Sequence, residues 1–314
     1  MECLPKDPLL QFNPDTLEHV RKLYDLDNPV RIKQAIEILE EWIKKQHHFT
    51  RKEFDADYLE RILVVSKGSI ERAKSQLDAM CTFRTLLPKF FFTPSNLRED
   101  FKPFLDVCWI VPMPKLTKNH HRVFVLKLNT SDFKAHHSLL VCKWLIIVCE
   151  YLKSHDYFEG IIAIADYRTL NLPALVSMTS LTELQEMANI IIKGFGARIK
   201  EIHIINESKL LDFLLQIGKQ LVSQKILSRA TLHHDVEPIY EYVDPSILPV
   251  ELGGTERSLD TLQNEWLDVL SSKDHVEYVT KMNEARTDET QRLAENFNSL
   301  YMGTPGSFRN LIVD

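Results

Sequence analysis

The sequence predicts an α/β protein: an N-terminal helical bundle, then a mostly parallel sheet flanked by helices, with a lid helix over a hydrophobic cavity. Three observations carry this reading. The apolar residues of the first ninety or so positions fall at helical spacing. From Phe101 onward short strand-like runs alternate with helical ones, the mark of an α/β domain. The run Gly160-Ile161-Ile162-Ala163-Ile164-Ala165-Asp166 is too short for a typical helix and reads as a strand buried on both faces, as in a parallel sheet.

In chain order, Asn13-Pro14 and Asn28-Pro29 each set a capping side chain before a proline at the first helical position. Ile32, Ala35, Ile36, Leu39, Trp42 and Ile43 form one face of the second helix. A third helix spans about 57–66 and ends at Gly68; a fourth runs from Ile70 to Leu87 and stops at Pro88. Strands are expected at 107–111 and 122–126, with a Pro-Met-Pro loop between them. The helix from Leu139 to Leu152 has an apolar stretch, Leu139 to Cys149, far below the ~20 residues of a membrane span, and reads as a core helix. A helix with Leu181, Leu184, Met187, Ala188 and Ile191 on one face, stopped by Gly194 and Gly196, leads to a strand at 198–205 and completes a βαβ crossover.

Asn206-Glu207-Ser208 then caps an amphipathic run from Lys209 to Ser228 whose apolar arc covers roughly 220°, where a surface helix needs little more than ~100°. Such a helix is either sandwiched inside the fold or a mobile lid that covers a cavity and meets a membrane. Charge favours the lid: Lys193 to Arg229 holds seven basic and three acidic residues in a chain of net charge −6. Beyond residue 255 the chain is helical again through Leu259, Leu262, Trp266, Leu267 and Leu270, and the polar segment from Asp288 is expected to be partly disordered. The expected domains are a helical module over 10–95, an α/β lipid-binding domain over 100–255 and a helical extension over 256–314.

Composition narrows the function. Five cysteines without a C-x-x-C pair imply reduced thiols in the cytoplasm, and no apolar h-region marks the N-terminus for secretion. Net negative charge without a chain-wide basic stripe argues against nucleic acid. There is no G-x-S-x-G elbow and no Walker loop, and the G-x-G at Gly194 to Gly196 follows a helix rather than a strand. Four adjacent histidine pairs point their members to different faces, so no metal site is expected. Asp166, at the carboxyl end of a central strand, would be the candidate acid of a hydrolase.

The segment Ile202-His203-Ile204-Ile205-Asn206-Glu207, the amphipathic helix after it, and Ile247-Leu248-Pro249-Val250-Glu251-Leu252-Gly253-Gly254-Thr255 together resemble the CRAL-TRIO lipid-transfer domain, in its tocopherol- and retinaldehyde-carrier branch. Leu59-Glu60-Arg61-Ile62-Leu63 to Arg84 resembles that family's helical N-terminal module. The resemblance implies a non-enzymatic, monomeric cytoplasmic carrier without cofactor. It would bind one isoprenoid-like lipid, alpha-tocopherol first and a retinoid or carotenoid second, and exchange it at phosphoinositide-bearing membranes. A membrane-tethered interaction module is the alternative from another class. Arg198, Lys200, Lys225 and Arg229 match the family's phosphoinositide-binding residues; a further basic position stands as Ser66 here, with Lys67 beside it. Ser138 and Cys142, four apart on one helix face, match a pair that holds the ligand's polar end. The apolar lining is expected from Met178, Leu181, Met187, Ile190, Ile191, Phe195 and Ile202, with Leu214 and Ile217 added by the lid.

Overall fold

The computed structural model describes Leu4 and residues 7–91, 96–105, 107–128, 133–169, 180–206 and 223–292. Residues 207–222 of the expected lid, and with them Leu214 and Ile217, lie outside the described residues, as do Met178 and residues 293–314.

Four helices come first: α1 (Thr16–Lys22), α2 (Pro29–Lys45), α3 (Ala56–Val65) and α4 (Ile70–Leu86). Asn28 opens α2 as its position predicts, its Oδ1 accepting from the Val30 amide at 2.9 Å ahead of Pro29. Asn13 does not cap. α1 begins later, after Asp15, and the Asn13 amide donates instead to the Thr117 carbonyl at 2.9 Å, a distant acceptor the local pattern cannot reveal. Ile32, Ala35, Leu39 and Ile43 of α2 close a core with Leu59, Ile62 and Leu77. α3 turns sharply into α4 through Lys67 and Gly68, with φ of 57° and 69°. A Cβ on Gly68 would sit 2.5 Å from the Tyr24 carbonyl oxygen, so the turn needs a glycine for space as well as for φ.

After α5 (Leu97–Leu105), one sheet forms from β1 (Cys108–Leu116), β2 (His121–Leu128), β3 (Gly160–Asp166), β4 (Ile199–Ile205) and β5 (Ala230–His233), in that spatial order. β1 is antiparallel to β2 and the remaining pairings are parallel. β3 lies at the centre and is buried along nearly its whole length, which is why it reads as a continuous apolar run. The Pro112-Met113-Pro114 stretch is not a loop: it lies inside β1, where the register shifts. An edge strand loses no ladder bond to a proline on its open side. The Arg122 guanidinium takes the Met113 carbonyl at 3.0 Å and the Pro114 carbonyl beside it, and Asp156 holds Arg122 through two bonds of 2.8 Å, with both side chains fully buried.

α6 (Ala135–His155) has 21 residues, longer than its apolar stretch suggests. By length and composition it could cross a membrane, yet 61% of its most apolar window is buried inside the fold. Trp144 anchors it to the sheet, donating to the Ile110 carbonyl at 2.9 Å. α7 (Leu181–Asn189) runs into a single π turn, Ile190–Gly194, before β4. α8 (Gln224–Leu227) follows Ser223, whose extended backbone (φ −65°, ψ 153°) breaks the helical run that the sequence carries to Ser228.

The C-terminal helices are structural partners of both halves. α9 (Leu259–Leu270) covers the β1 edge: Gln263 brackets it by accepting from the Ile110 amide at 3.3 Å and donating to the Cys108 carbonyl at 3.2 Å, and Trp266 donates to the Pro112 carbonyl at 3.1 Å. Beyond α10 (Lys273–Asn283), Thr287 bridges to Phe49, and Arg292, 2% exposed, reaches Asp78 at 2.7 Å. Asp288 to Arg292, the first residues of the segment expected to be partly disordered, are thus held against the fold.

Candidate functional site

Two periodicities meet in one cavity of about 390 Å³. Strand alternation brings Phe124, Leu126 and Leu128 of β2 and Ile161 and Ala163 of β3 to the same face of the sheet. Helical spacing brings Ser138, Val141, Leu145 and Cys149 of α6, Leu184 and Met187 of α7 and Ile191 of the π turn opposite them. Ile110, Phe133, Tyr167 and Ile199 close the lining.

Of the residues expected at the ligand, Ser138, Met187 and Ile191 line this cavity. Ser138 is 3% exposed, and its Oγ has no hydrogen-bond partner among the described residues. Cys142, one turn on, is fully buried in a different cluster with Met80, Phe83 and Phe90, and burial pushes its thiol up to about 12. Ile190 and Phe195 belong to that same cluster rather than to the lining. The physical reason is that Ile190 and Ile191 are adjacent on one helix and point about 100° apart, so with Ile191 in the lining Ile190 faces α4, where a Cβ on Gly194 would lie 3.0 Å from Met80. Leu181, in the first turn of α7, is 40% exposed. Ile202 is half-buried, opposite Ala163 and Ala230, and outside the lining. The β2 contribution and the α6 stripe below Ser138 were missed, although the alternation of Phe124, Leu126 and Leu128 and the spacing of Val141 and Leu145 carry the signal.

Asp166 is not poised for catalysis. Its carboxylate is bound by Arg168 through two contacts of 2.9 Å, with Lys127 at 3.7 Å. Burial opposes its ionisation, but the Arg168 bonds and charge outweigh that and hold it below the usual carboxylate range.

A second feature lies where the α3–α4 turn meets the start of β4. Lys67 is exposed there; burial and then the like charges of Arg198, Lys225, Arg72 and Lys200 lower its pKa, so these five cations share one field. Two of them also face inward. Arg198 is half-buried, with its guanidinium 4.6 Å from the Tyr24 ring centroid and bonded to the Tyr24 hydroxyl. Lys200 pairs with Glu159, which also binds His19 at 2.9 Å. Burial opposes the charge on Glu159, but these bonds draw its pKa down to about 2. Lys225 is exposed on α8, and Arg229 bonds the Ile199 carbonyl.

Fold and cavity together define an α/β protein with an apolar pocket of about 390 Å³, fronted by a helical bundle. Residues 107–254 match the CRAL/TRIO domain and residues 28–101 the Pinta-like UBA domain. Residues 107–254 thus form a domain of the CRAL-TRIO family, a lipid-binding and lipid-transfer family. The chain is 25% identical over 246 residues to an alpha-tocopherol transfer protein-like protein of Mus musculus, across 77% of this chain and 70% of that one. With the Homo sapiens protein of the same description it shares 24% over 233 residues, across 72% and 66%. The crystal structure of Sfh5 aligns over 87% of this chain and 98% of that chain, at 11% identity and a TM-score of 0.46.

Proposed function

We propose that this protein is a non-enzymatic cytoplasmic carrier of one hydrophobic, isoprenoid-like lipid with a single polar end, alpha-tocopherol being the first candidate. One observation carries the reading: an unpartnered Ser138 hydroxyl buried in an otherwise apolar cavity of about 390 Å³. That volume falls within the ~300–1,000 Å³ of small-molecule pockets, and a lone polar group on an apolar wall orients a ligand that is mostly hydrocarbon. The descriptions of the mouse and human relatives support a tocopherol.

A ligand with ~20 buried carbons forgoes on the order of 16 kcal/mol on leaving for water, so delivery requires contact with a bilayer. Lys67, Arg72, Arg198, Lys200, Lys225 and Arg229 supply the attraction to phosphoinositides in this reading, each worth ~1 kcal/mol near an anionic surface. Native mass spectrometry of the protein purified from its own tissue tests the proposal. One neutral lipid per chain is expected, replaceable by added tocopherol and excluded by Ile191→Trp, which fills the cavity. Protein that is empty and does not take up tocopherol or a retinoid overturns the carrier reading.

A further inference from the structure

Beneath the basic patch, between the helical bundle and the sheet, lies a second, small cavity of about 40 Å³, lined by Arg61, Lys153, Asp156, Tyr157 and Arg198 among apolar neighbours. Its charge does not balance. Arg61 is 5% exposed and Lys153 7%, and neither has an ion-pair partner among the described residues. Arg61 Nε donates to the Lys153 carbonyl at 2.8 Å, at the end of α6, while its Nη1 has no partner. Arg198 Nε and the Tyr157 hydroxyl are likewise buried without hydrogen-bond partners among the described residues, and the Tyr157 ring lies 5.6 Å from the Arg61 guanidinium. The nearby carboxylates are committed elsewhere: Asp156 to Arg122, Glu150 to Arg84, Glu60 to Arg21 and Glu159 to Lys200. The end of α6 supplies only about half a negative charge against the two guanidinium groups of Arg61 and Arg198. Burial, followed by the charge of Arg61, drives the Lys153 pKa well below the lysine range, so the two guanidinium groups carry the site's positive charge.

We infer that this cavity binds a small inorganic anion, chloride being the one that fits, held by Arg61 Nη1, Arg198 Nε and the Tyr157 hydroxyl. A single water needs about 10–15 Å³, so 40 Å³ accommodates a halide with a water beside it, whereas a whole phosphoinositide headgroup does not enter. A buried guanidinium without a counter-ion is strongly disfavoured, and an anion that binds the folded state alone stabilises it by mass action. The anion thereby ties the bundle to the sheet.

Two measurements on the full chain decide the matter. In crystals soaked in sodium bromide, an anomalous peak is expected in this cavity. The thermal midpoint should be about 2–4 °C higher in sodium chloride or bromide than in sodium gluconate of equal ionic strength, and the gain should saturate. Arg61→Gln should abolish that difference; if this variant does not fold, the wild-type measurements stand by themselves. A cavity without bromide density, or midpoints that do not distinguish the anions, overturns the inference. Bromide density without anion-specific stabilisation means an adventitious ion only, and also overturns it. Displacement of bromide by inositol 1,4,5-trisphosphate reassigns the cavity to headgroup phosphate and refutes a small-anion site.

Discussion

A buried hydroxyl without an acceptor costs the folded protein about 1–3 kcal/mol, so Ser138 is either a defect or half of a contact that a ligand completes. Ser138→Ala should weaken a hydroxyl-bearing lipid by about 1 kcal/mol, roughly fivefold, and leave binding of a pure hydrocarbon analogue unchanged in fluorescence titrations. Equal losses for the two would remove Ser138 from the polar contact. His275 illustrates a different residue-level cost. It is 5% exposed among Tyr151 and Tyr278, and neither ring nitrogen has a partner among the described residues. Burial, with a smaller contribution from His155, lowers its pKa from 6.5 to about 4. The unfolded chain therefore takes up a proton that the folded one refuses: the stability contribution is full above about pH 6.5 and falls as pH drops toward 4, by up to roughly 3 kcal/mol. In chemical denaturation at pH 7 and pH 4.5, His275→Phe should shrink the acid-induced loss. An unchanged loss would place acid sensitivity elsewhere.

At the scale of elements, the α3–α4 turn, the start of β4 and α8 each contribute cations to one patch, although they are far apart in sequence. Arg198 and Lys200, the residues matched through family resemblance, spend part of their charge on Tyr24 and Glu159, whereas Lys67 and Lys225 are exposed. Lys67→Glu with Lys225→Glu should therefore slow transfer to phosphoinositide vesicles and flatten its salt dependence at unchanged ligand affinity. Wild-type transfer kinetics in this double variant would reduce the patch to a solvated surface. Glu159→Gln makes the opposite prediction, since it frees Lys200 and adds one net positive charge. Vesicle affinity should rise by ~1 kcal/mol, about fivefold in a sedimentation assay.

For the whole molecule, the C-terminal segment closes the structure by binding both ends of it. α9 covers the β1 edge, and the stretch after α10 docks on the bundle through Thr287 to Thr85 at 2.8 Å and Arg292 to Asp78. Buried Arg84–Glu150, at 2.8 Å, joins α4 to α6 in the same region. Truncation after residue 284 should speed amide exchange in α4 while leaving the protection of β3 nearly intact; uniform exchange across both would show that the segment stabilises the fold globally. By itself the sequence determined the bundle and the βαβ unit around β3, because period-2 and period-3.6 burial are local properties of the chain, whereas Ser138 came from family resemblance and not from spacing. Tertiary structure decided the rest. Which of the neighbours Ile190 and Ile191 faces the cavity is decided by packing against α4, and Asn13, Pro112 and Pro114 acquire their roles from residues distant in sequence. Which cations stand free depends on which carboxylates and tyrosines the fold brings beside them, and that is settled by long-range packing.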